Sequence, residues 1–152
     1  MRVLRGQSGA TLVETLVAIA LASVVLTAVV GMVVSAVATS TLSKSRTTAT
    51  RLAEEGIEVA RKTRDRTDWD SFYNAYVNSN SWKVDLVAGD IILNTSGSSL
   101  PTAPFTRTVT FSNASVPVGG RDRVQVISTV TWNDKGKIQE VKLVSFLTKW
   151  RK

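Results

Sequence analysis

The side chains that most often carry chemistry are scarce here. There is no cysteine and no histidine among 152 residues. That excludes a thiolate nucleophile, an imidazole base, a Cys/His zinc site and a disulfide framework. No acids pair in a recognisable acid–base motif, so neither an enzyme nor a cofactor is expected. What remains is a lone acid, a set of basic positions, an aromatic cluster and one turn. The acid is Glu14, set in an apolar run. An ionised carboxylate costs roughly 2.5–3.5 kcal/mol at the centre of a membrane helix and less near its end. The basic positions are Arg107, Arg121, Arg123, Lys135, Lys137 and Lys142, with Lys149, Arg151 and Lys152 in the tail. They could meet nucleic acid, or simply solvate strand faces and a soluble tail. Trp69, Phe72, Tyr73, Tyr76 and Trp82 could stack bases or sugars. Without an interleaved basic run they read as rings packing a loop onto the fold. Asn133-Asp134-Lys135-Gly136 could suggest a calcium ligand in Asp134, but it has the chemistry of a hairpin turn, and no metal is expected.

The elements that must position these residues begin with an apolar stretch. Thr15 to Ser43 carries no charge over 29 residues. A spanning helix needs about 20 apolar residues, so Leu12–Val37 suffices. Arg2 and Arg5 precede it and favour an N-terminus on the cytoplasmic side, with the head outside. Two other readings stay open. Ala36-Val37-Ala38 looks like a secretory cleavage site, although the apolar region is about twice the usual 7–15 residues. A plain signal anchor is the other, against which Glu14 stands.

The leader Met1-Arg2-Val3-Leu4-Arg5-Gly6-Gln7-Ser8-Gly9 is short, basic and ends in glycine. Ala10-Thr11-Leu12-Val13-Glu14 and the apolar helix follow it. This resembles the type IV prepilin signature, in which a glycine precedes the cut and a glutamate lies five residues after it. The resemblance covers the leader and the span. Ala10 stands where the family most often has phenylalanine. The resemblance implies that a membrane prepilin peptidase cuts between Gly9 and Ala10 and N-methylates Ala10. Glu14 would then pair with the new amine of a neighbouring subunit, turning a costly charge into a contact that sets register. Gly31 sits where many members have proline. Glycine weakens a helix by up to ~1 kcal/mol against alanine, proline by ~3, so loosening on assembly is less strongly encoded.

Beyond the span, Ala49, Leu52, Ala53, Gly56, Ile57 and Ala60 make a stripe of helical period. Arg51–Glu55, Glu58–Lys62 and Arg61–Asp65 offer i,i+4 ion pairs. No proline occurs before Pro101, so one helix from about Ala10 to about Arg66 is predicted. An aromatic loop over 67–81 and a sheet over 82–148 follow. Phe105, Val109 and Phe111 alternate with Thr106, Thr108, Thr110 and Ser112, and Val124, Val126, Val130 and Trp132 alternate in the same way.

The expected class is therefore α+β, a long N-terminal helix on a C-terminal antiparallel sheet of four or five strands. The expected divisions are a leader over 1–9, a transmembrane assembly helix over 10–43 and a pilin-like head over 44–152. The head holds a helix over 44–66 and a basic tail over 149–152. The expected function is a structural subunit, minor rather than major, of a type IV pilus or a secretion pseudopilus. Its partners would be the prepilin peptidase, other pilin subunits, the inner-membrane assembly platform and membrane lipid. Removing Arg2 and Arg5 leaves 17 basic against 12 acidic side chains. That mild positive field keeps DNA as an alternative partner, in DNA uptake.

Overall fold

The computed structural model describes residues 8–77, 82–87, 90–95, 103–114 and 120–149. Its elements are α1 (Ser8–Arg66), α2 (Trp69–Tyr76), β1 (Trp82–Val87), β2 (Asp90–Asn94), β3 (Phe105–Asn113), β4 (Arg123–Asp134) and β5 (Lys137–Thr148). The chain divides into two compact units, Met1–Ser43 and Lys44–Lys152. The backbone of α1 is continuous across that division.

In the first unit the helix has no proline to break it, and alanine and leucine, good helix formers, are interspersed among the valines. Its apolar side chains from Leu12 to Val37 each leave half or more of their surface uncovered. The hydroxyls among them are satisfied locally. Ser23 donates to the Ala20 carbonyl at 2.7 Å, Thr27 to Ser23 at 2.8 Å and Thr39 to Ser35 at 3.0 Å. A helix that satisfies its own polar groups and exposes apolar ones is what a bilayer core demands, and this one is long enough to cross.

In the second unit the sheet order is β2-β1-β3-β4-β5, all neighbours antiparallel. The predicted stripe is the buried face of α1. Ala49, Ala53, Gly56, Ile57 and Ala60 are buried, joined by Val59, and Leu52 is half-buried. Alternation places Val109 and Phe111 of β3 and Val124, Val126, Val130 and Trp132 of β4 on the covered side. The β4–β5 turn has Lys135 at φ 50° and Gly136 at φ 82°, and the Gly136 N–H donates to Asn133 Oδ1 at 2.8 Å. Two consecutive positive φ values match the right-handed strand twist, which is why glycine is useful there.

The aromatic stretch expected as a loop instead contains α2. Asp68 caps it, its carboxylate accepting from the Asp70 N–H at 3.1 Å. The rings do pack. Phe72 is fully buried, edge-on to Phe111 with centroids 5.6 Å apart, and Tyr76 lies 4.6 Å from Trp82. Full burial of a ring such as Phe72 contributes about 1.5–3 kcal/mol. None of the three predicted i,i+4 ion pairs forms. Glu55 turns to Arg107, Glu58 to Arg61 one turn away, and Lys62 to Asp90 on β2. Partners supplied by the sheet displace the local ones for Glu55 and Lys62, while Arg61 and Asp65 take nearer partners on the helix, Glu58 and Arg64. The sequence also predicts a turn at Ala88-Gly89, a Ser/Gly/Pro loop over 96–104 and a Pro/Gly loop over 116–121; the turn and most of both loops lie outside the described residues.

Candidate functional site

The first candidate site is the start of α1. Gly9 and Ala10 lie in its first turn, by backbone. Glu14 follows Ala10 by four residues, so the two share a helix face. The Glu14 side chain is exposed within its unit, and Thr15 beside it donates to the Leu12 carbonyl at 2.9 Å. Arg2 and Arg5 lie outside the described residues. At Gly31 the helix continues without a break, and an added Cβ would meet nothing within 4 Å. Close packing inside this chain therefore does not require glycine there. Ser23, Thr27, Gly31, Ser35 and Thr39 fall every fourth residue. That row of small side chains, overlooked in the sequence reading, would let another helix approach closely.

The second candidate was the basic set. Arg121, Arg123 and Lys149 come together where β4 begins and β5 ends, with the Lys149 N–H donating to the Asp122 carbonyl at 2.8 Å. They are engaged rather than open. The Arg121 guanidinium lies 4.4 Å over Tyr73 and donates to Asn74, and Arg123 lies 4.0 Å over Phe146. Lys149 approaches Asp70 at 3.8 Å. Arg151 and Lys152 lie outside the described residues.

Arg107 must be removed from the basic surface. It is 3% exposed, between α1 and the sheet. Its Nη1 donates to the Leu52 carbonyl at 2.6 Å and to Glu55 Oε2 at 3.1 Å. Burial pushes the guanidinium pKa down, partly countered by Glu55. A buried, committed cation cannot meet a phosphate backbone. Arg107 instead belongs to a polar node with Gly56 and Ser128. A Cβ at Gly56 would stand 2.3 Å from Ser128 Oγ and 3.2 Å from Arg107 Cδ, so glycine is there because the sheet comes too close for anything larger. Arg107 Nε and Ser128 Oγ are buried without a hydrogen-bond partner among the described residues.

A second polar tie holds β2. Asp90 accepts from Lys62 at 2.5 Å and from Arg66. Those hydrogen bonds, Lys62 foremost, hold its pKa down at about 2. Neither arrangement contains groups placed for nucleophilic or acid–base work, and among the described residues no three ligating side chains gather for a metal.

With this geometry in place, the chain can be set beside known proteins. A family model described as the prokaryotic N-terminal methylation motif matches residues 4–30. No curated protein and no solved structure matches the chain. The matched segment is the type IV prepilin signature, and it spans Gly9, Ala10, Glu14 and most of the apolar run. Over that N-terminal segment the chain is similar to type IV pilin and pseudopilin precursors, and behind it stands an α+β head with a long helix and an antiparallel sheet. The motif together with the long apolar helix supports a membrane anchor, and in prepilins such a motif goes with processing by prepilin peptidase.

Proposed function

We propose that this chain is a structural subunit of a type IV pilus or a related pseudopilus, taken from the membrane into a filament through α1. The peptidase cuts between Gly9 and Ala10, removing the leader over 1–9, and the new amine of Ala10 is methylated. The helix over 10–43 holds the subunit in the membrane with its N-terminus on the cytoplasmic side, and the head over 44–152 lies outside. The inner-membrane platform then moves it into the filament.

The observation that carries this reading is Glu14. It stands four residues beyond Ala10 in a helix otherwise uncharged to Ser43, inside the matched motif. A carboxylate there is unfavourable in lipid unless a cation meets it. The cut makes such a cation, and a neighbouring subunit presents it. The test is Glu14→Ala, with mature protein compared between membranes and sheared filaments. Insertion and cleavage should persist, since the span becomes more apolar. Incorporation into filaments should fall. Normal incorporation would remove the pairing role.

DNA uptake is the weaker second reading. Arg121, Arg123 and Lys149 gather at one place, but Asp70 and Asp122 share it, and phosphate contacts want an uninterrupted positive field.

A further inference from the structure

The head exposes few large apolar side chains among the described residues, and two of them sit beside unneutralised charge. Ile138 is 79% exposed, next to the β4–β5 tip. Lys135 lies in that tip and Lys137 opens β5 beside it, both exposed and without an ion pair among the described residues, with Asp134 opposite Lys137 in the strand register. Ile91, 43% exposed, lines a groove of about 380 Å³ together with Val59, Glu54, Glu55 and Glu58. Arg51 and Arg107 line it too. Arg107 is committed to Glu55, and its buried Nε lacks a partner among the described residues. Glu54 has no ion pair among the described residues. Among the described residues Glu58 pairs with Arg61 alone, at 2.6 Å, and the two side chains are 65% and 47% exposed. Exposed pairs of that kind are weak and readily exchanged for a better partner.

The geometry points to a contact between copies of this chain, in which the β4–β5 tip of one head enters the Glu54/Glu58 groove of the next. Charge and apolarity match together. Lys135 and Lys137 meet Glu54 and Glu58, and Ile138 meets Ile91, the exposed apolar side chain of the groove. A two-residue turn, closed by the Gly136 N–H donating to Asn133 Oδ1, presents the tip, so little freedom is lost on docking. The tip and the groove are different surfaces of the head. Made head to tail, as in a filament, the contact is heterologous and repeats along a line of subunits; a reciprocal pair, with each tip in the other's groove, would stop at a dimer in place of a ladder. This rests on the filament reading above and adds to it which head surfaces meet.

The test uses the full chain in cells that make filaments. Reversing the groove with Glu54→Lys and Glu58→Lys should lower recovery in sheared filaments about fivefold, on the scale of two exposed ion pairs. The level of mature protein in membranes should not change, because both side chains are exposed. Adding Lys135→Glu and Lys137→Glu to the same chain should restore recovery. The absence of cysteine gives a second readout: Glu58→Cys with Lys137→Cys in one chain should yield a ladder of disulfide-linked multimers on oxidation. If wild-type filaments form but the reversed groove incorporates normally, the contact is wrong while the filament reading stands. A loss that tip reversal does not restore assigns the groove to another occupant and also overturns the proposal. Absence of the chain from wild-type filaments overturns the filament reading itself.

Discussion

Gly56→Ala sets two effects against each other, and the structure decides which wins. In a solvent-exposed helix, alanine gains up to ~1 kcal/mol over glycine from propensity alone. At position 56 the new methyl would stand 2.3 Å from Ser128 Oγ and 3.2 Å from both Ser128 Cβ and Arg107 Cδ. Ser128 is fully buried, and overpacking of a tight interior costs about 1–3 kcal/mol. With the full propensity gain set against it, the balance is a loss of up to about 2 kcal/mol. For a domain of this size that lowers Tm by up to about 15 °C. The assay is thermal and urea unfolding of a fragment spanning 44–152, followed by near-ultraviolet circular dichroism of its tryptophans. Ser128→Ala supplies the control, because it removes the nearest atom and a hydroxyl without a partner among the described residues. In that background Gly56→Ala should come within about 1 kcal/mol of neutral, a coupling typical of residues in contact. A stabilised Gly56→Ala, or the same loss in both backgrounds, would refute the claim that helix and sheet meet closely there.

Arg107 should behave as a structural residue. Arg107→Ala should cost about 2–3 kcal/mol through lost packing and the lost bond to the Leu52 carbonyl, whereas Arg107→Met should stay within about 1 kcal/mol in the same melts. Asp90 should make the head sensitive to acid. Its folded pKa is depressed to about 2 from 3.8, so its contribution is complete above about pH 4 and is lost as the pH falls through 2. The difference in Tm between wild type and Asp90→Asn should be largest near neutral pH and vanish towards pH 2.

Much of this was legible in the sequence because it is periodic or local. The uncharged run from Thr15 to Ser43 announces the span, and the Ala49–Ala60 stripe and the β3 and β4 alternations announce the head. What escaped depends on contacts distant in the chain. The i,i+4 pairs were a local inference, and strands β2 and β3 overruled it by offering Asp90 and Arg107 to the helix. The polar node did leave a trace. Arg107 falls in the inward phase between Phe105 and Val109, and Ser128 in the inward phase between Val126 and Val130. Val109 pairs with Ser128, and Arg107 with Val130, on neighbouring strands. Two polar residues in inward phase, with a glycine in the helix stripe, announce a close approach once the strands are paired. Single-strand reading treats them as interruptions. Helix α2 was missed because its eight residues carry too little periodic signal against a background of turn formers. At the N-terminus the pairing role of Glu14 involves a second subunit, so it appears in the sequence as a motif and in a single chain only as a misplaced charge.

The account turns on the cut that creates the partner of Glu14. Intact mass spectrometry of the mature protein extracted from membranes tests it most directly. The predicted species begins at Ala10 and carries one added methyl group on its amine. A species beginning at Thr39, or one that retains Met1 through Gly9, would contradict the account.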